Sequence, residues 1–218
     1  MHPFPCPVPR APAFLLAALL AVAGWPAASA HQGPHAAPSA SLPQDGAAVS
    51  RSMVQVRLPA VRVRQHNGKL VAFDATMDDT RPVLLNFVFT TCTGICLPMS
   101  QLFAAAQERL GAQADQLQMV SVSIDPGQDT PARLAEYAGR FAAGPQWTFD
   151  TGSQDAIDAI QRAFNVYRPD KMSHTPVTFV RPRGSRQWVR LDGFPSPDQL
   201  IREAQAHGQG QAQATASP

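Results

Sequence analysis

The chain has 218 residues, 44% of them hydrophobic, which is enough to form one globular domain with a real core. Its formal net charge is only +2, and its basic residues do not gather on one periodic face. The composition therefore argues against nucleic acid as a partner, because nucleic-acid binding needs a strongly basic surface.

The first 30 residues have the features of a secretory signal peptide. Arg10 precedes an apolar stretch at 11–23, and the small residues Ala-Ser-Ala at 28–30 precede a cleavage site. The alternative is an uncleaved membrane anchor, but the apolar stretch is short for a bilayer span and Pro26 follows it closely. We therefore predict that residues 1–30 are a cleaved signal peptide of an exported protein, attached to a membrane only if this segment is retained.

Low-complexity segments flank a region of alternating strands and helices. Residues 31–50 are predicted to be a flexible lead-in and 208–218 a disordered tail, which leaves one domain at 51–207. The predicted elements are strands at 54–58 and 61–64, a hairpin turn at Asn67-Gly68, a buried strand at 83–89, a helix at 99–110, a buried strand at 118–124, a helix at 131–141, a strand at 147–149, a helix at 153–164, a strand pair at 176–180 and 187–191, and a helix at 197–207. This order predicts an α/β, thioredoxin-like fold: a central mixed sheet with helices on both faces and additional N-terminal strands.

A pair of cysteines marks the turn between the first buried strand and its helix. Cys92 and Cys96 would lie in the positive end of the helix dipole, which favours the thiolate, the form that binds a soft metal ion or attacks a disulfide. Their spacing predicts neighbouring positions on a first helical turn, an arrangement that suits two sulfurs on one ion. An inert structural disulfide is the remaining interpretation, although so short a loop constrains little chain entropy.

His174 and Asp125 are predicted to lie beside the two thiols. In this architecture the turn before the closing strand pair faces the start of the first long helix, which places His174 opposite Cys92 and Cys96. Two thiolates and an imidazole suit Cu(I), or Cu(II) with a further weak donor, and zinc also accepts such a set. Asp125 follows the second buried strand at the same edge of the sheet, and we predict that it orients the cysteine loop.

These motifs together resemble the Sco/SenC family, in the family's order and over residues 52–206. The resemblance rests on the strand before Cys-x-x-x-Cys, the Asp-Pro-x-x-Asp-Thr-Pro segment at 125–131, and the downstream His174. It implies that Cys92, Cys96 and His174 bind copper, and that the cysteines also pair as a redox-active disulfide. It further implies a periplasmic protein that delivers copper to, or reduces the thiols of, the CuA site of cytochrome c oxidase or another periplasmic copper protein.

The sequence departs from the family pattern in places. Thr93 stands where a proline commonly follows the first cysteine, and Thr175-Pro176 resembles the cis-proline position of thioredoxins. The second feature is typical of thiol–disulfide exchange enzymes. The alternative function is therefore a periplasmic thiol–disulfide reductase in which Cys92 attacks, Cys96 resolves and no metal takes part. Whether the protein is an enzyme stays open at this point.

Overall fold

Eight strands and five α-helices form within the residues that the computed structural model describes, 49–77 and 80–206. These residues belong to one compact unit of the chain, 43–218. The strands are β1 (Ser50–Val54), β2 (Arg62–Gln65), β3 (Leu70–Ala72), β4 (Val83–Val88), β5 (Gln118–Ser123), β6 (Trp147–Gly152), β7 (Val177–Arg181) and β8 (Trp188–Asp192). The helices are α1 (Phe73–Thr76), α2 (Cys96–Leu110), α3 (Pro131–Arg140), α4 (Gln154–Ala163) and α5 (Pro197–Gln205), with 3-10 turns at Gly111–Gln116 and Lys171–Ser173.

All eight strands join one mixed sheet in the order β1-β8-β7-β4-β5-β6-β2-β3. The central pairs β4–β5 and β5–β6 are parallel, whereas β4–β7, β7–β8, β1–β8, β2–β6 and β2–β3 are antiparallel. The predicted α/β class with a central mixed sheet is confirmed. The carboxyl ends of β4 and β5 and the start of β7 lie at the same edge, which is where ligand sites form in open α/β sheets.

The sheet is covered on both faces, so β4 at its centre is wholly buried. Leu85 and Phe87 point into a core shared with Ile157 of α4. Leu84, on the opposite face, packs into a second core with Phe103 of α2. A strand that is buried on both faces is typically a nearly continuous run of apolar residues, and this pattern is why β4 could be predicted from the sequence. The turn that follows β4 therefore starts from a firmly held strand.

The N-terminal strand differs from its prediction. The sequence pattern placed a strand at 54–58, but β1 ends at Val54, and Val56 and Leu58 pack against the core from an irregular segment. The reason is topological: β1 lies beside β8, while β2 lies beside β6 near the opposite edge of the sheet. The intervening residues must cross the sheet and so cannot pair in it. The predicted hairpin is confirmed, with Gly68 at φ 86° between β2 and β3.

The predicted signal peptide, the tail and most of the lead-in lie outside the described residues. None of the helices within residues 49–77 and 80–206 has both the length and the hydrophobicity that a membrane span requires.

Candidate functional site

The cysteine turn leaves β4 and enters α2 with Cys92 ahead of the helix and Cys96 as its first residue. The prediction that both cysteines share the first helical turn is therefore wrong. Instead, the Cys92 sulfur accepts a hydrogen bond from the Cys96 amide at 3.4 Å, and the Cys92 amide donates to the Phe89 carbonyl at 3.1 Å. The tight turn that these two bonds close brings the unpaired thiols together at the start of α2.

Burial is the main influence on the pKa of the Cys96 thiol, which it raises. Its side chain is 1% exposed, and loss of solvation raises the pKa of the Cys96 thiol far above its ordinary value. A hydrogen bond with Cys92 and the negative charge of Asp129 raise it further, while a backbone hydrogen bond at Phe89 acts in the opposite direction. The expected thiolate-favouring effect of the helix dipole is outweighed here. Cys96 is thus a protonated thiol near neutral pH and must lose its proton to bind a metal ion.

Asp129 holds the cysteine turn from the adjacent loop. Its carboxylate is completely buried and accepts hydrogen bonds from the Thr90 amide at 3.2 Å, the Thr90 hydroxyl at 2.6 Å and the Ser123 hydroxyl at 2.5 Å. The sequence pattern predicted this orienting role for Asp125, but Asp125 pairs with Lys171 at 2.5 Å. A turn closed by the Asp129 amide and the Asp125 carbonyl directs the second carboxylate inward. The signal was present as the second acidic residue of the segment at 125–131.

Tyr137 on α3 supports the same turn from the other side. Its hydroxyl donates to the Cys96 carbonyl at 3.3 Å and lies 3.0 Å from the Ser100 hydroxyl. Burial raises the pKa of Tyr137 to about 12, so the phenol stays protonated and available as a donor. This residue was missed because on the sequence it is only one apolar position of an amphipathic helix. Only the packing of α3 against α2 gives it a role.

His174 follows the 3-10 turn Lys171–Ser173, and Asp170 caps this turn by accepting from the Met172 amide at 2.9 Å. The His174 Nε2 atom lies 3.0 Å from the Phe87 carbonyl oxygen. A carbonyl oxygen can only accept, so Nε2 carries the proton and Nδ1 of the neutral ring keeps a free lone pair. Burial lowers the pKa of His174, and the charge of Arg168 lowers it further, partly offset by the bond to Phe87.

The structure brings the two cysteines together and sets His174 against the strand that leads to them. Its imidazole contacts β4 at Phe87, five residues before Cys92. Within residues 49–77 and 80–206, no three His, Cys, Asp or Glu side chains converge closely enough to hold a metal ion. A shift of the cysteine turn or of the His174 turn is therefore required before all three predicted ligands can share one ion.

The likeness to a thioredoxin cis-proline site is not realised at Pro176. Every peptide bond among the described residues is trans, including the bond before Pro176. His174 already has extended backbone angles, φ −63° and ψ 134°, and the chain continues directly into β7. The Pro176 carbonyl accepts from the Gly193 amide at 2.9 Å, which extends the pairing of β7 with the chain after β8.

Comparisons with known proteins agree on one family. The family model described as SCO1/SenC matches residues 62–206. The SCO1 protein homolog of Bacillus subtilis is 31% identical over 97 residues, 44% of this chain and 49% of that protein. Protein SenC of Rhodobacter capsulatus is 30% identical over 101 residues, 46% of this chain and 45% of that protein. The matched region thus spans about half the length of these curated relatives.

Solved structures extend the likeness over the fold. The copper-bound ScoI of Arabidopsis thaliana superposes with a TM-score of 0.54 at 25% identity, covering 65% of this chain and 94% of that one. The predicted thioredoxin-like architecture of Sco type is confirmed by this match.

Proposed function

The chain belongs to the SCO1/SenC family, and we propose that it is a copper-binding protein of Sco type whose ligands are Cys92, Cys96 and His174. Copper is its cargo. The protein delivers the ion to the CuA site of cytochrome c oxidase during assembly, or to another periplasmic copper protein. The signal peptide predicted at 1–30 supports export to the periplasm, with attachment to the inner membrane only if that segment is retained.

The observation that carries this proposal is the hydrogen bond from His174 Nε2 to the Phe87 carbonyl. Histidines that bind metals usually donate their other ring N–H to a carbonyl or carboxylate, which fixes the tautomer and the ring orientation. Phe87 lies on β4, the strand that leads directly into the cysteine turn. The ring is therefore oriented and in the correct tautomer to act as a ligand, and it lies against the strand that leads to the two thiols.

The donor set also fits copper chemically. Two thiolates and an imidazole are soft to intermediate ligands that suit Cu(I) and Cu(II) better than Mg²⁺ or Ca²⁺. Each thiol exchanges its proton for the metal ion on loading, and regains a proton when a partner thiolate displaces it. The cysteines provide a second chemistry, because reduction of a partner disulfide converts the Cys92/Cys96 dithiol into a disulfide and the partner into a dithiol.

The proposal is tested by copper titration of the reduced protein and its Cys92→Ala and His174→Ala variants, followed by absorption and stoichiometry. We expect one copper ion per wild-type molecule and no tight site in Cys92→Ala. His174→Ala weakens Cu(II) more than Cu(I), because two thiolates alone can hold Cu(I). His66→Ala is the matched control, since His66 lies beside the hairpin and accepts from the Phe149 amide. Equal weakening of both oxidation states would contradict the role of His174.

A metal-free thiol–disulfide reductase is the alternative, and the geometry offers it little support. Cys92, the attacking residue of that mechanism, is only 8% exposed, and the bond before Pro176 is trans. An attacking thiolate needs access to the partner disulfide. Reduction of insulin disulfides that persists in His174→Ala, together with absent copper binding, would favour this alternative.

A further inference from the structure

The side chain of Lys171 links three segments that meet at the candidate copper site. Its ammonium lies 2.5 Å from the Asp125 carboxylate and 5.5 Å from the centre of the Phe89 ring. Phe89 connects β4 to the cysteine turn, and its carbonyl accepts from the Cys92 amide. Lys171 itself lies three residues before His174. One cation therefore contacts the loop of Asp125, the root of the cysteine turn and the segment that carries the histidine.

Backbone and side-chain hydrogen bonds connect the Lys171–Asp125 pair to both His174 and the cysteine turn. Towards the histidine, the His174 amide donates to the Lys171 carbonyl at 3.2 Å, so the two residues share one short turn. Towards the cysteines, the Asp129 amide donates to the Asp125 carbonyl at 2.9 Å, and the Asp129 carboxylate holds Thr90. The Lys171–Asp125 ion pair connects these two sets of hydrogen bonds. It joins the His174 turn to the loop that positions the cysteines.

We propose that Lys171 is a positioning residue that, through Asp125 and Phe89, holds the His174 turn against the segments that carry and position Cys92 and Cys96. The inference rests on the proposed copper function and deepens it, because it names the group that makes the imidazole available as the third ligand. Lys171 never contacts the metal. Its contribution is to reduce the positions that the His174 turn samples, so that less conformational freedom is lost when the ring binds Cu(II).

The ion pair is better suited to this task than an ordinary surface pair. The Asp125 side chain is 15% exposed and that of Lys171 is 38% exposed, so the pair is only partly screened by solvent. The aromatic face of Phe89 adds a second attraction for the same cation. The chain also contains a natural control: its other lysine, Lys69, lies in the exposed β2–β3 hairpin turn.

Copper affinity tests the positioning role in the full protein. We expect Lys171→Met to weaken Cu(II) binding about fivefold, the effect of losing one partly exposed ion pair, and to leave Cu(I) binding unchanged. Lys171→Arg should restore Cu(II) affinity, because a guanidinium also pairs with Asp125 and stacks on Phe89. Lys69→Met should have no effect. Equal Cu(II) affinity in Lys171→Met and wild type would overturn the proposal.

A double mutant separates positioning from general stability. In the His174→Ala background, Lys171→Met should cause no further loss of Cu(II) affinity, because the ring that it positions is absent. An equal loss in both backgrounds would assign Lys171 a merely structural role and overturn the proposal. If His174→Ala alone leaves Cu(II) binding unchanged, the proposed ligand set fails. If His174→Ala weakens Cu(II) binding but Lys171→Met does not, only the positioning role fails.

The ion pair itself can be tested without copper. The two lysines give two side-chain signals in a protein labelled with ¹³C-lysine. Asp125→Asn should shift the Lys171 signal and leave the Lys69 signal in place. A Lys171 signal that is unaffected by Asp125→Asn would remove the basis of the inference, whatever the copper titrations give.

Discussion

Asp129 is the residue whose substitution should disturb the cysteine turn most. Its buried carboxylate receives three donor groups, the Thr90 amide, the Thr90 hydroxyl and the Ser123 hydroxyl, at 2.5–3.2 Å. Asp129→Asn keeps the shape but replaces an ionised acceptor by a neutral amide that can accept at only one atom. Hydrogen bonds to charged groups are roughly twice as strong as neutral ones.

The expected loss follows from these three bonds. A buried bond to a charged acceptor contributes about 1.5–3 kcal/mol and a neutral one about 0.5–1.5 kcal/mol, so each donor loses about 1 kcal/mol. The free energy of unfolding should therefore fall by about 3 kcal/mol. This value is an upper one, because it adds the three bonds as if they were independent. Because Thr90 precedes Cys92 by two residues, the turn should also open more often and expose both thiols.

Two measurements check this prediction. Urea unfolding followed by tryptophan fluorescence reports stability, since Trp147 and Trp188 are both buried. Alkylation of the reduced protein reports exposure of the thiols, and its rate should rise in Asp129→Asn. Asp198→Asn is the control, because its side chain is 62% exposed in a surface pair with Arg109, and it should change stability by less than about 0.5 kcal/mol. An Asp129→Asn protein with wild-type stability and alkylation rate would refute the assigned role.

Three further predictions concern neighbouring groups. Tyr137→Phe removes the donor to the Cys96 carbonyl and should lower the free energy of unfolding by about 1 kcal/mol in urea titrations. Burial raises the pKa of Asp150 from 3.8 to about 7, so the folded state holds a proton that the unfolded state releases. Wild-type stability should accordingly fall by about 2–3 kcal/mol more than that of Asp150→Asn between pH 5 and 8, and parallel curves would disprove this. Copper affinity should rise with pH from 6 to 8 in competition titrations, because the raised pKa of Cys96 makes copper displace a proton.

The sequence alone was sufficient for most of the fold. The buried run at 83–89 and the helix after it appeared as β4 and α2, because apolar periodicity reflects which faces are covered. Thr130 and Ser196 cap α3 and α5, and such caps can be predicted from sequence because they depend only on residues within one turn. The family also followed from local motifs, because their order along the chain survives even where overall identity is low.

The details of the site depend on contacts between residues far apart in the chain. The sequence does not distinguish the roles of Asp125 and Asp129. Only the fold shows that Asp129 binds Thr90 and that Asp125 pairs with Lys171. Cys96 lies at a helix N-terminus, yet its pKa is set by burial, which no neighbouring residue encodes. The sequence determines which side chains each segment carries. Packing decides which of these side chains lose their solvation and which come into contact. Desolvation controls acidity, and contact controls ligand geometry.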